Sequence, residues 1–355
     1  MPGKMIASIN RRSGKPVVAG PGFPTRVMAL IGSSSRSDLK LESEKVDALA
    51  DLPARPDVVS DLSIVVSEEP LWTRVVAAGF GAATLPIYTA RSLNGRIDHR
   101  ELLDIACQHI SSGVGLLTVH PTPTAELVRL ARTRSIPCTS RGGGLVINDL
   151  RSRADDENVY LKILPDLISV AKHHGAVLSI GASFRSGTIF DSLDAAQTAE
   201  IAFQIKLANQ ISKSGVGVII ESPGHARPAS ILRCAELLAG TDFPIMPLGP
   251  LPTDAAVGLD HIAAAIGATL MGMNRAAHIL AAVTREEHTG GVPSIASTLE
   301  AVQCAQVAAH VIDLHLYGDD AVDARTSQIR ADAKTCVSGK QTAGCSRCGS
   351  KCPLY

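Results

Sequence analysis

From about residue 26 the chain alternates short apolar runs with longer stretches in which apolar residues recur at helical spacing. The runs are Val27–Ile31, Val58–Leu62, Ala82–Ile87, Gly115–His120, Val177–Gly181, Gly217–Glu221, Pro244–Leu248 and Ile279–Thr284. Between several of them, Glu101–Ile110, Thr124–Thr133, Leu161–His173, Ala195–Ser212 and Ala229–Ala239 read as helices. Strands alternating with helices at this pitch predict an α/β fold built on a parallel sheet, doubly wound or closed. A short run at Ile136–Thr139 and an apolar patch at Ala263–Met273 leave the strand count open.

Polar residues favour the closed form. Ser33, Asp61, Tyr88, His120, Arg141, Arg185, Glu221 and His288 each fall at or just past the end of a candidate strand. A TIM barrel draws its functional groups from the carboxyl ends of many strands, whereas an open sheet gathers them near one switch point. The expected architecture is a TIM-type (β/α)8 barrel with a C-terminal helical extension and a flexible cysteine-motif tail. Residues 1–25 form an N-terminal arm, 26–290 the barrel, 291–335 a helical segment with one long helix at Ser294–Leu316, and 336–355 the tail.

Composition narrows the function classes. Lys+Arg and Asp+Glu balance at 34 each and aromatics make up only 3%, which argues against nucleic acid or an anionic membrane as partner. The 45% hydrophobic content suffices for a sizeable core. No apolar run long enough to span a bilayer and no secretory h-region near the N-terminus are expected, and hence a soluble cytoplasmic chain.

Of eight cysteines, Cys107, Cys138, Cys234, Cys304 and Cys336 are scattered, and the other three close the chain as Cys345-Ser-Arg-Cys348-Gly-Ser-Lys-Cys352. Three thiolates at this spacing can wrap a 4Fe–4S cluster and leave its fourth iron open. The same spacing also suits a structural zinc knuckle with Cys336 or a histidine as fourth ligand. Spacing alone leaves both alternatives standing.

A set of ordered segments carries a resemblance. They are Ser179-Ile-Gly-Ala-Ser-Phe-Arg185-Ser-Gly187, Glu221-Ser-Pro-Gly-His225, Leu248-Gly-Pro-Leu251, Thr253-Asp254, Gly258-Leu-Asp-His261, Ile266-Gly-Ala268 and Thr284-Arg-Glu-Glu-His288. Upstream stand Leu85-Pro-Ile-Tyr88, Thr118-Val-His120 and Ser140-Arg-Gly-Gly143. Together they resemble the phosphomethylpyrimidine synthase family of thiamine biosynthesis, which are radical S-adenosylmethionine lyases. The resemblance implies a TIM-type barrel, a homodimer, an external electron donor, and a 4Fe–4S cluster on Cys345, Cys348 and Cys352 that binds S-adenosylmethionine. It implies a divalent metal, zinc or iron, at His225 and His288. Tyr88, His120, Ser140, Arg141, Gly142, Gly143, Arg185 and Glu221 would line the substrate pocket, with Glu221 and His120 handling protons. Asp61 and Asp254 would orient neighbours. The family substrate is 5-aminoimidazole ribotide, and related enzymes convert the same ribotide to 5-hydroxybenzimidazole.

The chain departs from the family pattern at four places. The tail spacing is two and three residues rather than two and four. Ala182 replaces a pocket acid, Met246 replaces an aromatic, and Ala29-Leu30-Ile31-Gly32-Ser33 lacks asparagines. These losses imply a divergent member acting on a changed phosphorylated substrate. A non-catalytic zinc-binding barrel is the reading from another class.

Overall fold

The computed structural model describes residues 5–153, 157–338, 347–348 and 351–352. The chain opens on a hairpin, β1 (Ala7–Ile9) antiparallel to β2 (Val17–Ala19). All eight apolar runs become strands of one parallel sheet. In chain order come β3 (Arg26–Ile31), helix α1 (Leu39–Ala50), β4 (Val58–Asp61), α2 (Leu71–Ala77) and β5 (Gly81–Thr84). A second hairpin, β6 (Ser92–Leu93) and β7 (Arg96–Ile97), leads to α3 (His99–Ser111) and β8 (Leu116–Val119). Then follow α4 (Ala125–Leu130), α5 (Arg141–Ser152), α6 (Val159–His174), β9 (Val177–Ile180), α7 (Ala195–Ser212) and β10 (Val218–Glu221). Helix α8 (Pro228–Ala239), β11 (Ile245–Met246), α9 (Asp260–Met273) and β12 (Ile279–Ala282) complete the sheet.

The strand order is β11-β10-β9-β8-β5-β4-β3-β12, with every pairing parallel. The two edge strands meet at one residue. The His278 N–H donates to the Ile245 carbonyl at 2.8 Å, and its ring Nδ1 accepts from the Ile245 N–H at 3.0 Å. An imidazole thus completes the rung that a short β11 cannot supply, and the sheet closes into a TIM-like barrel. Burial pushes the His278 pKa down to about 4, so the ring stays neutral and its lone pair remains available to the seam.

Residues 5–25, expected as an arm, instead supply a plug. Ala7, Ile9, Val17 and Ala19 pack with Met28, Val58, Ala83, Leu116, Val177, Ile219, Met246, Ile279 and Ala281 in one buried cluster. Gly115 makes room for this hairpin, since a Cβ there would lie 2.5 Å from the Asn10 carbonyl oxygen. The barrel is therefore filled from below, and its open end is the carboxyl end of the strands.

Four helices went unnamed in the periodicity, each for a visible reason. In α1 the inward face carries Glu42 and Lys45, buried as an ion pair at 2.5 Å, with Glu42 also accepting the Gly32 N–H at 2.9 Å. Helix α2 is only seven residues long. Helix α5 begins Arg-Gly-Gly-Gly, a run that reads as a turn. The patch at Ala263–Met273 is α9, apolar on nearly every side, and Ile136–Thr139 lies outside any strand.

By compactness the chain divides into two units, Met1–Ile312 and Asp313–Tyr355. The first runs past the expected boundary at residue 290 because α10 (Ile295–Tyr317) buries Ala301, Val302, Ala305, Ala308, Ala309 and Ile312. Ile312 fits where Gly272 of α9 lacks a side chain; a Cβ there would lie 2.3 Å from Ile312 Cδ1. Contrary to the sequence expectation, α10 is long and apolar enough to cross a membrane by length and composition. Its buried face gives that apolarity a use in the core. The second unit contains α11 (Ala321–Asp332), which has no buried residues.

Candidate active site

The barrel mouth gathers the residues singled out at the strand ends. Tyr88 follows β5 on a single 3-10 turn, Pro86–Tyr88, and its ring lies 5.4 Å from the Arg141 guanidinium carbon. Burial raises its phenol pKa most, while Arg141 and Arg185 pull it the other way. The charge of Arg185 also acts on His120 and on Glu221, so the group is electrostatically one site. Arg185 Nη1 donates to the Ala182 carbonyl at 3.0 Å, which anchors the guanidinium over the end of β9.

Glu221 ends β10 and is buried. Its Oε1 accepts from the hydroxyls of Thr118 and Ser179, each at 3.2 Å, and its Oε2 accepts from the Ala182 N–H at 3.3 Å. Desolvation raises its pKa, and Arg185 and these donors oppose the rise. A carboxylate so placed can take and return a proton.

His120 is held differently from the expectation of a proton shuttle. Burial foremost, with Arg185 second, pushes its pKa down to about 3, so the ring is neutral. Ser140 Oγ accepts the Gly143 N–H at 3.0 Å and lies 3.0 Å from His120 Nε2. Ser140 Oγ, which has a second lone pair as well as its own proton, meets either tautomer of the ring at that nitrogen. Nδ1 is buried without a partner among the described residues. The neutral ring offers one N–H and one lone pair and is not an imidazolium acid.

Gly142 and Gly143, read as a phosphate loop, are the first turn of α5, with Ser140 as N-cap. Their lack of side chains has a packing cause. A Cβ on Gly142 would lie 2.4 Å from His120 Cε1, one on Gly181 would lie 2.6 Å from His120 Nε2, and one on Gly143 would lie 2.6 Å from Ser183 Cβ. The His120 ring is thus wedged between two glycines. Arg141 and the positive end of α5 still give this corner an anion-attracting character.

On the other side of the mouth, His225 and His288 converge. Their Nε2 atoms are 3.0 Å apart, and the rings meet edge to face at 82°. His225 Nδ1 lies 2.7 Å from Asp254 Oδ1, and His288 Nδ1 lies 2.7 Å from Asp260 Oδ1. Each carboxylate accepts an Nδ1–H, the tautomer of a neutral imidazole that turns the Nε2 lone pair toward the other ring. Two such lone pairs repel unless a cation lies between them. Two nitrogens bound to one zinc at tetrahedral angles would be roughly 3.3 Å apart. The pair therefore fits a shared divalent metal, with carboxylates fixing ring orientation behind it. Among the described residues no group of three or more His, Cys, Asp or Glu forms a metal cluster, so the remaining positions would be left to other ligands.

Asp61 and Asp254 orient neighbours as expected. Asp61 accepts from the Ser63 and Trp72 N–H groups at 2.8 and 2.9 Å, and Asp254 also accepts from the Ile189 N–H at 3.0 Å. Ser33 is fully buried, with a hydroxyl that has no partner among the described residues. Asp260, Thr118, Ser179 and Glu200 were not foreseen. Asp260 stood within the quoted Gly258-Leu-Asp-His261 segment, so its family-like context was the available signal. The cluster assignment to Cys345 lies outside the described residues, whereas Cys348 and Cys352 are free thiols. Cys107, Cys138, Cys234, Cys304 and Cys336 are free as well.

Met246, expected to face the pocket, packs in the apolar barrel interior with the plug. Its difference from the family pattern concerns packing. Ala182 does border the site, through its own N–H and carbonyl.

Residues 1–342 match the Radical SAM ThiC family. The chain is 32% identical over 314 residues to phosphomethylpyrimidine synthase of Methanopyrus kandleri, covering 84% of this chain and 72% of that protein. It is 30% identical over 324 residues to 5-hydroxybenzimidazole synthase BzaA of Moorella thermoacetica, covering 87% and 73%. Among solved structures, it is similar to Xanthomonas albilineans dihydropteroate synthase with 4-aminobenzoic acid at 12% identity and a TM-score of 0.45, covering 85% of this chain and 98% of that one. A barrel whose mouth carries the family's segments in order, matched along nearly its whole length, belongs to the Radical SAM ThiC family.

Proposed function

We propose that this radical S-adenosylmethionine enzyme acts on a phosphorylated heterocycle of the 5-aminoimidazole ribotide type. The observation that carries the reading is the convergence of Tyr88, His120, Arg141, Arg185 and Glu221 at the mouth of a closed barrel, beside the paired His225 and His288. Relatives named for either ribotide product stand at similar identity.

Arg141 and Arg185 hold the phosphate by charge and by forked hydrogen bonds. His120 meets a ring or sugar group of the substrate through Nδ1, which has no partner among the described residues. Glu221 exchanges a proton through Oε2, the oxygen with the single donor. His225 and His288 would hold the divalent metal through Nε2, and Cys345, Cys348 and Cys352 the cluster. The family's cluster and S-adenosylmethionine supply the hydrogen-atom abstraction. Ala182 presents a methyl group where the family pattern has an acid, which removes one polar contact to the ribotide. A second copy of this chain is the proposed partner, since Ile262, Ile266 and Met273 on α9 and Val307 and Val311 on α10 lie exposed on adjoining helices.

The test is an anaerobic incubation of reconstituted protein with S-adenosylmethionine, dithionite and 5-aminoimidazole ribotide. Release of 5′-deoxyadenosine should rise with the ribotide, and the product distinguishes a pyrimidine phosphate from 5-hydroxybenzimidazole. No ribotide-dependent 5′-deoxyadenosine would overturn the substrate assignment. A colourless zinc form that refuses iron and sulfide would favour a non-catalytic barrel.

A further inference from the structure

Helix α7 carries a carboxylate that the site as described does not use. Glu200 is 1% exposed. Its Oε1 accepts from the Ser183 N–H at 2.7 Å and from Thr122 Oγ1 at 2.5 Å, and its Oε2 accepts from the Phe184 N–H at 2.7 Å. Thr122 Oγ1 also lies 3.1 Å from Ser183 Oγ. Two consecutive backbone amides turned toward one point form a small anion cradle. Here a side chain of the protein occupies it.

The bound segments are those that bear the site. Thr122 comes two residues after His120. Ser183 and Phe184 come directly before Arg185. Ser183 also fills the space left by Gly143, which is two residues after Arg141. One carboxylate therefore ties the loop after β8 to the loop after β9, against the first turn of α5. No lysine or arginine forms an ion pair with it among the described residues, and burial pushes its pKa up to about 7 against the pull of its three donors and Arg185. A buried acid of this kind is costly to keep. An apolar residue at this position of α7 would avoid that cost but would leave two buried amides without acceptors.

We infer that Glu200 is a positioning residue: its carboxylate fixes the Ser183–Phe184 turn and thereby sets the direction of Arg185 into the substrate site. This rests on the proposed role of Arg185 toward a phosphorylated ligand. The geometry makes a distinct demand on substitution. In Glu200→Gln one amide N–H still meets an oxygen, but the other faces an NH2 group, so donor meets donor. The turn should open while α7 and the barrel persist.

Two readouts on the full-length protein test this. Backbone hydrogen exchange at Ser183 and Phe184 should rise in E200Q by roughly tenfold, the change expected for losing about one buried hydrogen bond. Affinity for 5-aminoimidazole ribotide, measured in wild type, E200Q, R185A and the double variant, should show coupling. Once Arg185 is absent, E200Q should cost little more, whereas independent sites would add. Should E200Q fail to fold, T122V removes one of the three donors, leaves the charge in place, and carries the same cycle with smaller coupling. Unchanged exchange at both amides, or additive losses in the cycle, would overturn the positioning role. An exchange effect in E200Q together with a wild-type chain that binds no ribotide would overturn the substrate assignment and leave the turn's dependence on Glu200 standing.

Discussion

Two neighbouring glycines of α5 should respond in opposite directions to the same substitution. A Cβ on Gly142 would lie 2.4 Å from His120 Cε1, 2.7 Å from Nδ1 and 3.0 Å from Nε2, while one on Gly144 meets nothing within 4 Å among the described residues. The ring cannot retreat from Gly142. It is buried, engaged by Ser140, and closed in by Gly181, where a Cβ would lie 2.6 Å from Nε2. Overpacking of this sort costs about 1–3 kcal/mol. Gly→Ala in a helix returns up to about 1 kcal/mol, less in the first turn. G142A should thus be destabilised by about 1–2 kcal/mol and G144A stabilised by a few tenths to about 1 kcal/mol. For chains of this size each kcal/mol moves the melting temperature by roughly 2–4 °C. Calorimetry of the two variants side by side should place G142A several degrees below G144A. A G142A protein as stable as G144A would show that His120 is not wedged between the glycines, and the phosphate-loop explanation of Gly142 would regain its place.

Glu221→Gln keeps the shape of the side chain but removes proton exchange, so turnover should fall by roughly 10²–10⁴-fold with stability little changed; a loss under tenfold would remove Glu221 from the chemistry. H225A/H288A should lose one tightly bound divalent ion per chain in elemental analysis, and D260N should weaken it by roughly 10–100-fold by releasing the ring of His288. Unchanged metal content in the double variant would make the pair ordinary polar residues. C348A and C352A should each abolish a visible absorption band that bleaches with dithionite, whereas C234A, a buried thiol with its pKa pushed up to about 12, should leave it intact. His278 titrates near 4 in the fold against 6.5 in the unfolded chain, so the unfolded state binds the proton more tightly. Its contribution is complete above pH 6.5 and is lost as pH falls toward 4, on the order of 3 kcal/mol. H278A should be less stable at neutral pH and show a shallower decline between pH 6.5 and 4, followed by chemical denaturation. A decline as steep as that of wild type would refute the seam role.

The eight strands and the barrel were legible because buried parallel strands read as short apolar runs and because functional side chains mark their carboxyl ends. The candidate site residues were picked out for the same reason: Tyr88, His120, Arg185, Glu221 and His288 each stand at or just past the end of a run. His225 and Asp254 were legible only from the family-like segments.

What the sequence left undecided are relations between distant positions. A β1–β2 hairpin carries no sign that it will plug a barrel formed later in the chain, because only the assembled cavity gives its alternate residues a place to be buried. The charge pattern of α1 hides a helix until Glu42 finds Lys45 and the Gly32 amide. Thr118 and Ser179 become partners of Glu221, and Asp260 the orienter of His288, across loops whose closure the fold alone arranges. Gly142 reads as a turn in the chain and as clearance for an imidazole in the barrel. Periodicity reports which face of an element is buried, since that depends on local spacing. Which groups meet at that face depends on how all the elements pack, and a buried polar atom finds its partner only there.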